Sequence, residues 1–164
     1  MDIVAEFPFF PSFPTPGASE RLYLAESVSF VLEVKSNLAS QWSQVEKTAE
    51  QFLPLRRRWK GHLDFSSGSL GVSNESISRI PFVAIGFEGY KSSEALEQKL
   101  LDTPEAKRPD GALVLESGAY VGLKSGVRSD GPAGLFDFCV EAAYFATNVV
   151  TAHPDFRGYF IKPD

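Results

Sequence analysis

The chain has 164 residues, 43% hydrophobic and 23% charged, a composition typical of a globular domain and not of a disordered or fibrous chain. Its net charge of −5 argues against a generally basic surface that binds nucleic acid without specificity. The single cysteine, Cys139, excludes an intramolecular disulfide and a cysteine-based zinc cluster, and the lack of long apolar runs predicts a cytoplasmic protein without membrane contact.

The first 26 residues are predicted to form a short strand and a loop. Residues 3–5 are apolar, whereas residues 6–17 contain prolines at positions 8, 11, 14 and 16, which exclude a regular helix or a central strand. We expect the phenylalanines of this loop to pack against the domain, in preference to a polyproline ligand for a partner module. The chain is thus expected to be one domain, 1–164, with its core in 27–164.

The clearest predicted strand covers residues 27–35, where apolar residues alternate with other residues. A helix is expected to follow it, with Ser36 or Asn37 as its N-cap and Pro54 at its end. The apolar positions that predict this helix are Leu38, Trp42, Val45, Ala49 and Phe52.

The same order of strand and helix recurs further along the chain. Residues 81–87 predict a buried strand, residues 92–101 a helix with Ser92 at its start, and residues 112–124 a hairpin around Ser117 and Gly118. Residues 61–78 and 125–134 are predicted to be loops. This alternation predicts an α/β domain with a mixed central sheet flanked by helices.

A last helix is predicted over residues 134–151, and the final residues are expected to be a docked tail. The helix has a wide apolar face, on which we expect Cys139 to be a small core residue. The members of this face are Leu135, Phe136, Cys139, Val140, Ala143 and Tyr144.

Two charged residues stand out on the strand 27–35. Glu33 and Lys35 are two positions apart, so both side chains project from the same face of an otherwise apolar strand. A buried charge is costly unless it meets a partner, a metal ion or water. The alternative is a solvent-facing ion pair, which contributes little to stability.

Asp2, a variable gap and then Glu33-Val34-Lys35 match the pattern Asp, then Glu-x-Lys. This pattern resembles the PD-(D/E)xK nuclease superfamily, and the order of elements around it is similar to an uncharacterised bacterial family called domain of unknown function 6602. The resemblance implies a restriction-endonuclease-like fold. It also implies that Asp2 and Glu33, with the Val34 carbonyl, hold Mg²⁺, and that Lys35 positions the attacking water.

The function implied by this resemblance is Mg²⁺-dependent hydrolysis of DNA phosphodiester bonds, in a setting of defence against foreign DNA. The alternative is a catalytically silent binding module or a fragment, in which Glu33 and Lys35 merely pair. Members of the family carry a helix and a strand ahead of the aspartate, whereas Asp2 directly follows Met1. We therefore expect a homodimer or a second polypeptide that supplies the missing N-terminal elements.

A basic run follows the first helix. It comprises Arg56, Arg57, Arg58, Trp59 and Lys60. These residues are candidates for nucleic-acid binding, in which the cations contact phosphates and the indole stacks on a base. Equally, the cations complement the dipole of the preceding helix and the indole belongs to the core.

Overall fold

Six described strands of this computed structural model form one mixed sheet. The structure describes residues 3–8, 10, 13–14, 21–58, 64–65, 78–147 and 149–151. In spatial order the sheet contains β1 (Ile3–Glu6), β4 (Val28–Asn37), β6 (Phe82–Glu88), β7 (Gly111–Val114), β8 (Ala119–Gly122) and β9 (Val127–Ser129). Two short antiparallel pairs stand apart: β2 (Phe13–Pro14) with β3 (Arg21–Leu22), and β5 (Asp64–Phe65) with β10 (Val149–Thr151).

The three central strands β4, β6 and β7 run parallel to one another, and β1, β8 and β9 run antiparallel to their neighbours. Among the described residues, helices α1 (Trp42–Phe52) and α2 (Ser93–Asp102) lie in the connections between the parallel strands, and α3 (Pro132–Thr147) follows β9. This arrangement confirms the predicted α/β class with a mixed sheet.

Two apolar clusters lie on opposite faces of the sheet. Val31 and Ala84 point toward α1 and α2, whereas Leu32, Val83 and Phe145 belong to the cluster beneath α3. Alternation along β4 explains this division, because successive side chains of a strand point to opposite faces. Glu33 and Lys35 share the parity of Val31 and therefore lie on the α1 side.

The predicted elements differ from the observed ones mainly at their ends. Neither Ser36 nor Asn37 caps α1, because Asn37 still pairs with Glu88 in the sheet and the residue at the N-cap is Gln41. By contrast, the Ser92 hydroxyl accepts a hydrogen bond from Ala95 N at 3.4 Å, which confirms the predicted start of α2.

The segment 125–134 is not a simple loop, since it contains β9 and the first turn of α3. The last helix also ends earlier than predicted, at Thr147, and the chain then enters β10. The hairpin of β7 and β8 is confirmed, with Gly118 in the left-handed region at φ 66°. The predicted loop 61–78 lies mostly outside the described residues, as does the tail after 151.

The apolar face of α3 is not part of the core, and this corrects the sequence prediction. Phe136 is 67% exposed and Val140 53% exposed, and the thiol of Cys139 is exposed as well. The apolar periodicity predicts the helix correctly, but it does not predict which side faces the sheet. Tyr120, Phe138 and Phe145 fill the space beneath the helix, so the predicted face points outward. In the N-terminal segment, Phe7 packs as expected and is 1% exposed.

None of the helices that the structure describes is long and apolar enough to cross a lipid bilayer.

Candidate functional site

Glu33 and Lys35 form an ion pair on β4 beneath α1. Lys35 Nζ donates a hydrogen bond to Glu33 Oε1 at 2.6 Å, and the two side chains are 13% and 4% exposed, respectively. The two-residue spacing on a strand produces this contact, because it directs both side chains to one face. The pair is thus largely buried, which differs from the solvent-facing ion pair considered as the alternative.

Helix α1 contributes a third polar group to the pair. Thr48 Oγ1 donates a hydrogen bond to the same oxygen, Glu33 Oε1, at 3.1 Å. Across the sheet, Glu33 lies opposite Ala84 and Lys35 lies opposite Gly86 on β6. Ala84 belongs to the apolar cluster on this side of the sheet, and Leu38 lies close to Gly86.

The protonation of Glu33 reflects opposing effects. Burial raises the pKa of its carboxyl group, whereas the hydrogen bonds from Lys35 and Thr48 lower it, and the resulting pKa lies below the ordinary value of 4.5. Glu33 is therefore a carboxylate at neutral pH, able to bind a cation or to accept hydrogen bonds.

Of the two other predicted site positions on this part of the sheet, Asp2 lies outside the described residues. The next residue, Ile3, is described and lies opposite Leu32, which precedes Glu33 on β4. Val34 is half-buried and lies opposite Ile85.

The donor set fits Mg²⁺ in part. A carboxylate oxygen of Glu33 is the hard ligand that this ion prefers. The described residues, however, contain no group of three or more His, Cys, Asp or Glu side chains that could hold a metal ion. A magnesium site here consequently needs a second carboxylate, and Asp2 is the residue that the sequence pattern offers.

Arg57, in the basic run, is a buried residue. It is 5% exposed, and its guanidinium donates hydrogen bonds from Nε to Val28 O at 2.9 Å and from Nη2 to Ser29 O at 2.5 Å. It also lies over the ring of Phe7 at 5.2 Å. A guanidinium held in this way is not accessible to a phosphate of nucleic acid.

Burial lowers the pKa of Arg57 to about 10, and the nearby carboxylate of Glu26 opposes this effect. Arg57 therefore stays protonated at neutral pH. Glu26 is fully buried and accepts a hydrogen bond from Arg58 N at 2.6 Å, so it has a structural role on this side of the domain.

The remaining basic residues differ from Arg57. Arg56 and Arg58 are exposed, and Arg56 Nη1 donates hydrogen bonds to Leu53 O and Leu55 O at the end of α1. This contact matches the helix-dipole interpretation of the run. Trp59 and Lys60 lie outside the described residues.

A surface cleft of about 570 Å³ lies away from the ion pair. Its lining residues are Leu53, Pro54, Arg56, Arg79, Glu105 and Ala106. Neither Glu33 nor Lys35 lines this cleft, so it does not coincide with the predicted chemistry.

Sequence reasoning missed Thr48. Its spacing from Val45 and Phe52, by three and four positions, places it on the buried face of α1, where a hydroxyl needs a partner. That spacing was the available signal. At the start of the same helix, Gln41 Oε1 accepts hydrogen bonds from Ser36 Oγ and Asn37 N.

Three solved structures are similar to this chain. NucC of P. aeruginosa ATCC27853 in its cAAA-bound form superimposes with a TM-score of 0.59 at 19% identity, over 91% of this chain and 64% of that protein. NucC of E. coli MS115-1 gives 0.54 at 18% identity in its cAAA-bound form, over 91% and 63%, and 0.53 at 19% in its apo form, over 93% and 68%.

These similarities assign the restriction-endonuclease-like fold to the chain and confirm the predicted fold class. The chain spans less than two thirds of the length of either cAAA-bound structure. No protein-family model matches the chain, and no curated protein matches it either.

Proposed function

We propose that this nuclease-like domain hydrolyses DNA phosphodiester bonds at a Mg²⁺ site formed by Asp2 and Glu33 with Lys35 beside them. The observation that carries the proposal is the largely buried Glu33–Lys35 pair on a central strand of a restriction-endonuclease-like fold. Membership in the family of domain of unknown function 6602 and a role in defence against foreign DNA are further parts of the proposal. The fold is similar to that of NucC.

Energetics support a functional reason for the pair. The desolvation of two charges offsets most of their mutual attraction, and well-packed apolar residues at such positions are often neutral or more stable by about 1–4 kcal/mol. The fold therefore gains little from Glu33 and Lys35. An active site gains a carboxylate ligand and a cation within 2.6 Å of each other.

The chain's own residues have separate roles in this proposal. Glu33, Asp2 and the Val34 carbonyl would hold Mg²⁺, which when bound supplies a Lewis acid and coordinated water. Lys35 would leave the Glu33 carboxylate to contact a phosphate oxygen and to orient water, and Thr48 would keep that carboxylate in place. The Lys35 ammonium has three N–H donors, so it can contact the phosphate oxygen and the water together.

One observation favours the silent-module alternative. The described residues place one carboxylate at the pair and no metal-binding group of three. The two functions differ in metal binding, because a cation that binds only the folded state raises the thermal midpoint.

The test measures thermal midpoints with and without Mg²⁺ or Mn²⁺, together with cleavage of plasmid DNA. At a hundred times its dissociation constant, the metal adds about 2.7 kcal/mol of stability. We expect Asp2→Asn and Glu33→Gln to abolish this shift and the cleavage. A wild-type protein with neither metal shift nor cleavage would contradict the proposal and favour the silent module.

A double variant separates function from folding. Glu33→Leu with Lys35→Met is expected to keep or raise the thermal midpoint and to lose cleavage. The matched control is Glu116→Leu with Lys91→Met, since these residues form a 2.8 Å ion pair on the surface, 52% and 76% exposed. The control should change neither property.

A further inference from the structure

Helix α3 carries its apolar residues on the side that faces solvent. Phe136 is 67% exposed and Val140 53% exposed, and Leu135 and Tyr144 are exposed as well. From its second turn to its end, the outward face of the helix has no charged residue and consists of Leu135, Phe136, Cys139, Val140, Ala143, Tyr144 and Thr147. A solvent-facing helix surface of an ordinary domain would be polar.

The carboxylate of Glu141 lies on the side of α3 that faces the sheet. Glu141 accepts hydrogen bonds from the Tyr120 hydroxyl and from Ser125 Oγ, beside the sheet. Phe145 packs near Phe30, with ring centroids 6.1 Å apart. These contacts fix the rotation of the helix, so α3 cannot bury its apolar face by turning about its axis.

The shape of the face is self-complementary. Residues four positions apart form rows on a helix, and here the row of Phe136, Val140 and Tyr144 is bulky, whereas the neighbouring positions Cys139 and Ala143 are small. The bulky row is a ridge beside a shallow groove. In an antiparallel pair of identical helices, each ridge fits the groove of the other at a crossing angle of about −50°.

We propose that this face of α3 binds the same face of a second copy of the chain, which makes a two-fold symmetric dimer. The lack of charge on the face permits two copies with a net charge of −5 to meet there without repulsion in the contact. The same lack of charge excludes nucleic acid as the occupant, because phosphates require Lys or Arg. The proposal does not depend on nuclease activity.

The size of the face sets the expected strength. With aromatic side chains of roughly 200 Å² each, the exposed parts of the face amount to roughly 400 Å² per copy, about half of a standard interface. We therefore expect a weak dimer, with a dissociation constant on the order of 10–100 μM.

Sedimentation velocity between about 5 and 500 μM tests the proposal, with the dimer fraction rising over this range. Val140→Glu places two carboxylates near the two-fold axis and should weaken association about 100-fold or more, with an unchanged thermal midpoint because the position is exposed. The control is Leu101→Glu, which alters a residue 51% exposed on α2 and should dimerise like the wild type.

Cys139 provides an independent geometric test. It is the chain's single cysteine and lies at the middle of α3, close to the expected crossing point. Mild oxidation should give a reducible covalent dimer in the wild type and much less of it in Val140→Glu. The proposal is overturned if the wild-type protein stays monomeric at 500 μM, whether its face is bare or covered by another protein or segment. Equal cross-linking of the wild type and Val140→Glu overturns it as well.

Discussion

Replacement of Arg57 by Met tests whether the basic run serves the fold or nucleic acid. The guanidinium of Arg57 joins segments far apart in the chain, because it donates to Val28 O, Ser29 O and Arg79 O. Methionine fills a similar volume but supplies no donor and no charge. Glu26, fully buried, then loses the neighbouring positive charge.

The magnitude follows from these contacts. Removal of one partner from a buried charged pair costs about 3–5 kcal/mol, because the other charge and the carbonyl groups stay buried without compensation. This loss is a large fraction of the roughly 5–15 kcal/mol that stabilises a typical domain. For a chain of this size, each kcal/mol corresponds to about 2–4 °C, so we expect the thermal midpoint of Arg57→Met to fall by roughly 10 °C.

Urea unfolding at neutral pH measures the change, with Arg58→Met as the control. The Arg58 side chain is exposed and its backbone N–H makes the contact to Glu26, so this variant should stay within about 0.5 kcal/mol of the wild type. If Arg57→Met were as stable as Arg58→Met and instead bound DNA less tightly, the structural role of Arg57 would be refuted.

Three further substitutions address the site and the packing of α3. The pKa of Glu33 lies below 4.5, so its carboxylate stabilises the fold above that pH, and this stabilisation is lost as the pH falls. We therefore expect the thermal midpoint of the wild type to exceed that of Glu33→Gln at about pH 6, and the difference to disappear toward pH 3. Thr48→Val removes the hydrogen bond to Glu33 and should slow the proposed DNA cleavage about 10-fold, whereas Thr48→Ser should cleave at close to the wild-type rate. Equal cleavage rates for Thr48→Val and Thr48→Ser would contradict a positioning role of Thr48. A Gly→Ala change inside a helix normally stabilises it by up to about 1 kcal/mol, but the methyl group added by Gly134→Ala meets the Gly118 carbonyl oxygen, so calorimetry should show a loss of stability. At Gly126 the methyl group has open space, so Gly126→Ala should cost about 1 kcal/mol from its φ of 69° alone.

The features predicted correctly from the sequence are those that depend on local periodicity. Alternation along β4 placed Glu33 and Lys35 on one face, and the observed contact between them follows from that spacing. The start of α2 at Ser92 was predictable because the Ser92 hydroxyl acts within the same turn. Neither feature requires knowledge of the distant parts of the chain.

The features that were missed depend on contacts between distant segments. Asn37 was expected to cap a helix, but its pairing with Glu88 on β6 extends the strand past the predicted end. Arg57 is charged, and its burial depends on distant groups such as the carbonyl oxygens of residues 28, 29 and 79 and the Glu26 carboxylate. For α3, periodicity identifies an apolar face but gives no information about whether the same chain or another one covers it.

The buried charges of the domain differ in what they connect. Asp110 accepts a hydrogen bond from Phe82 N at 2.9 Å and pairs with Arg79, and thereby joins segments 28 residues apart. Arg57 similarly joins segments 29 residues apart through Val28. The Glu33–Lys35 pair lies within one strand, and the hydrogen bond from Thr48 to Glu33 links it to α1 over 15 residues. Well-packed apolar residues could replace such a buried pair at little cost to stability, so its presence supports the proposed chemistry at the site.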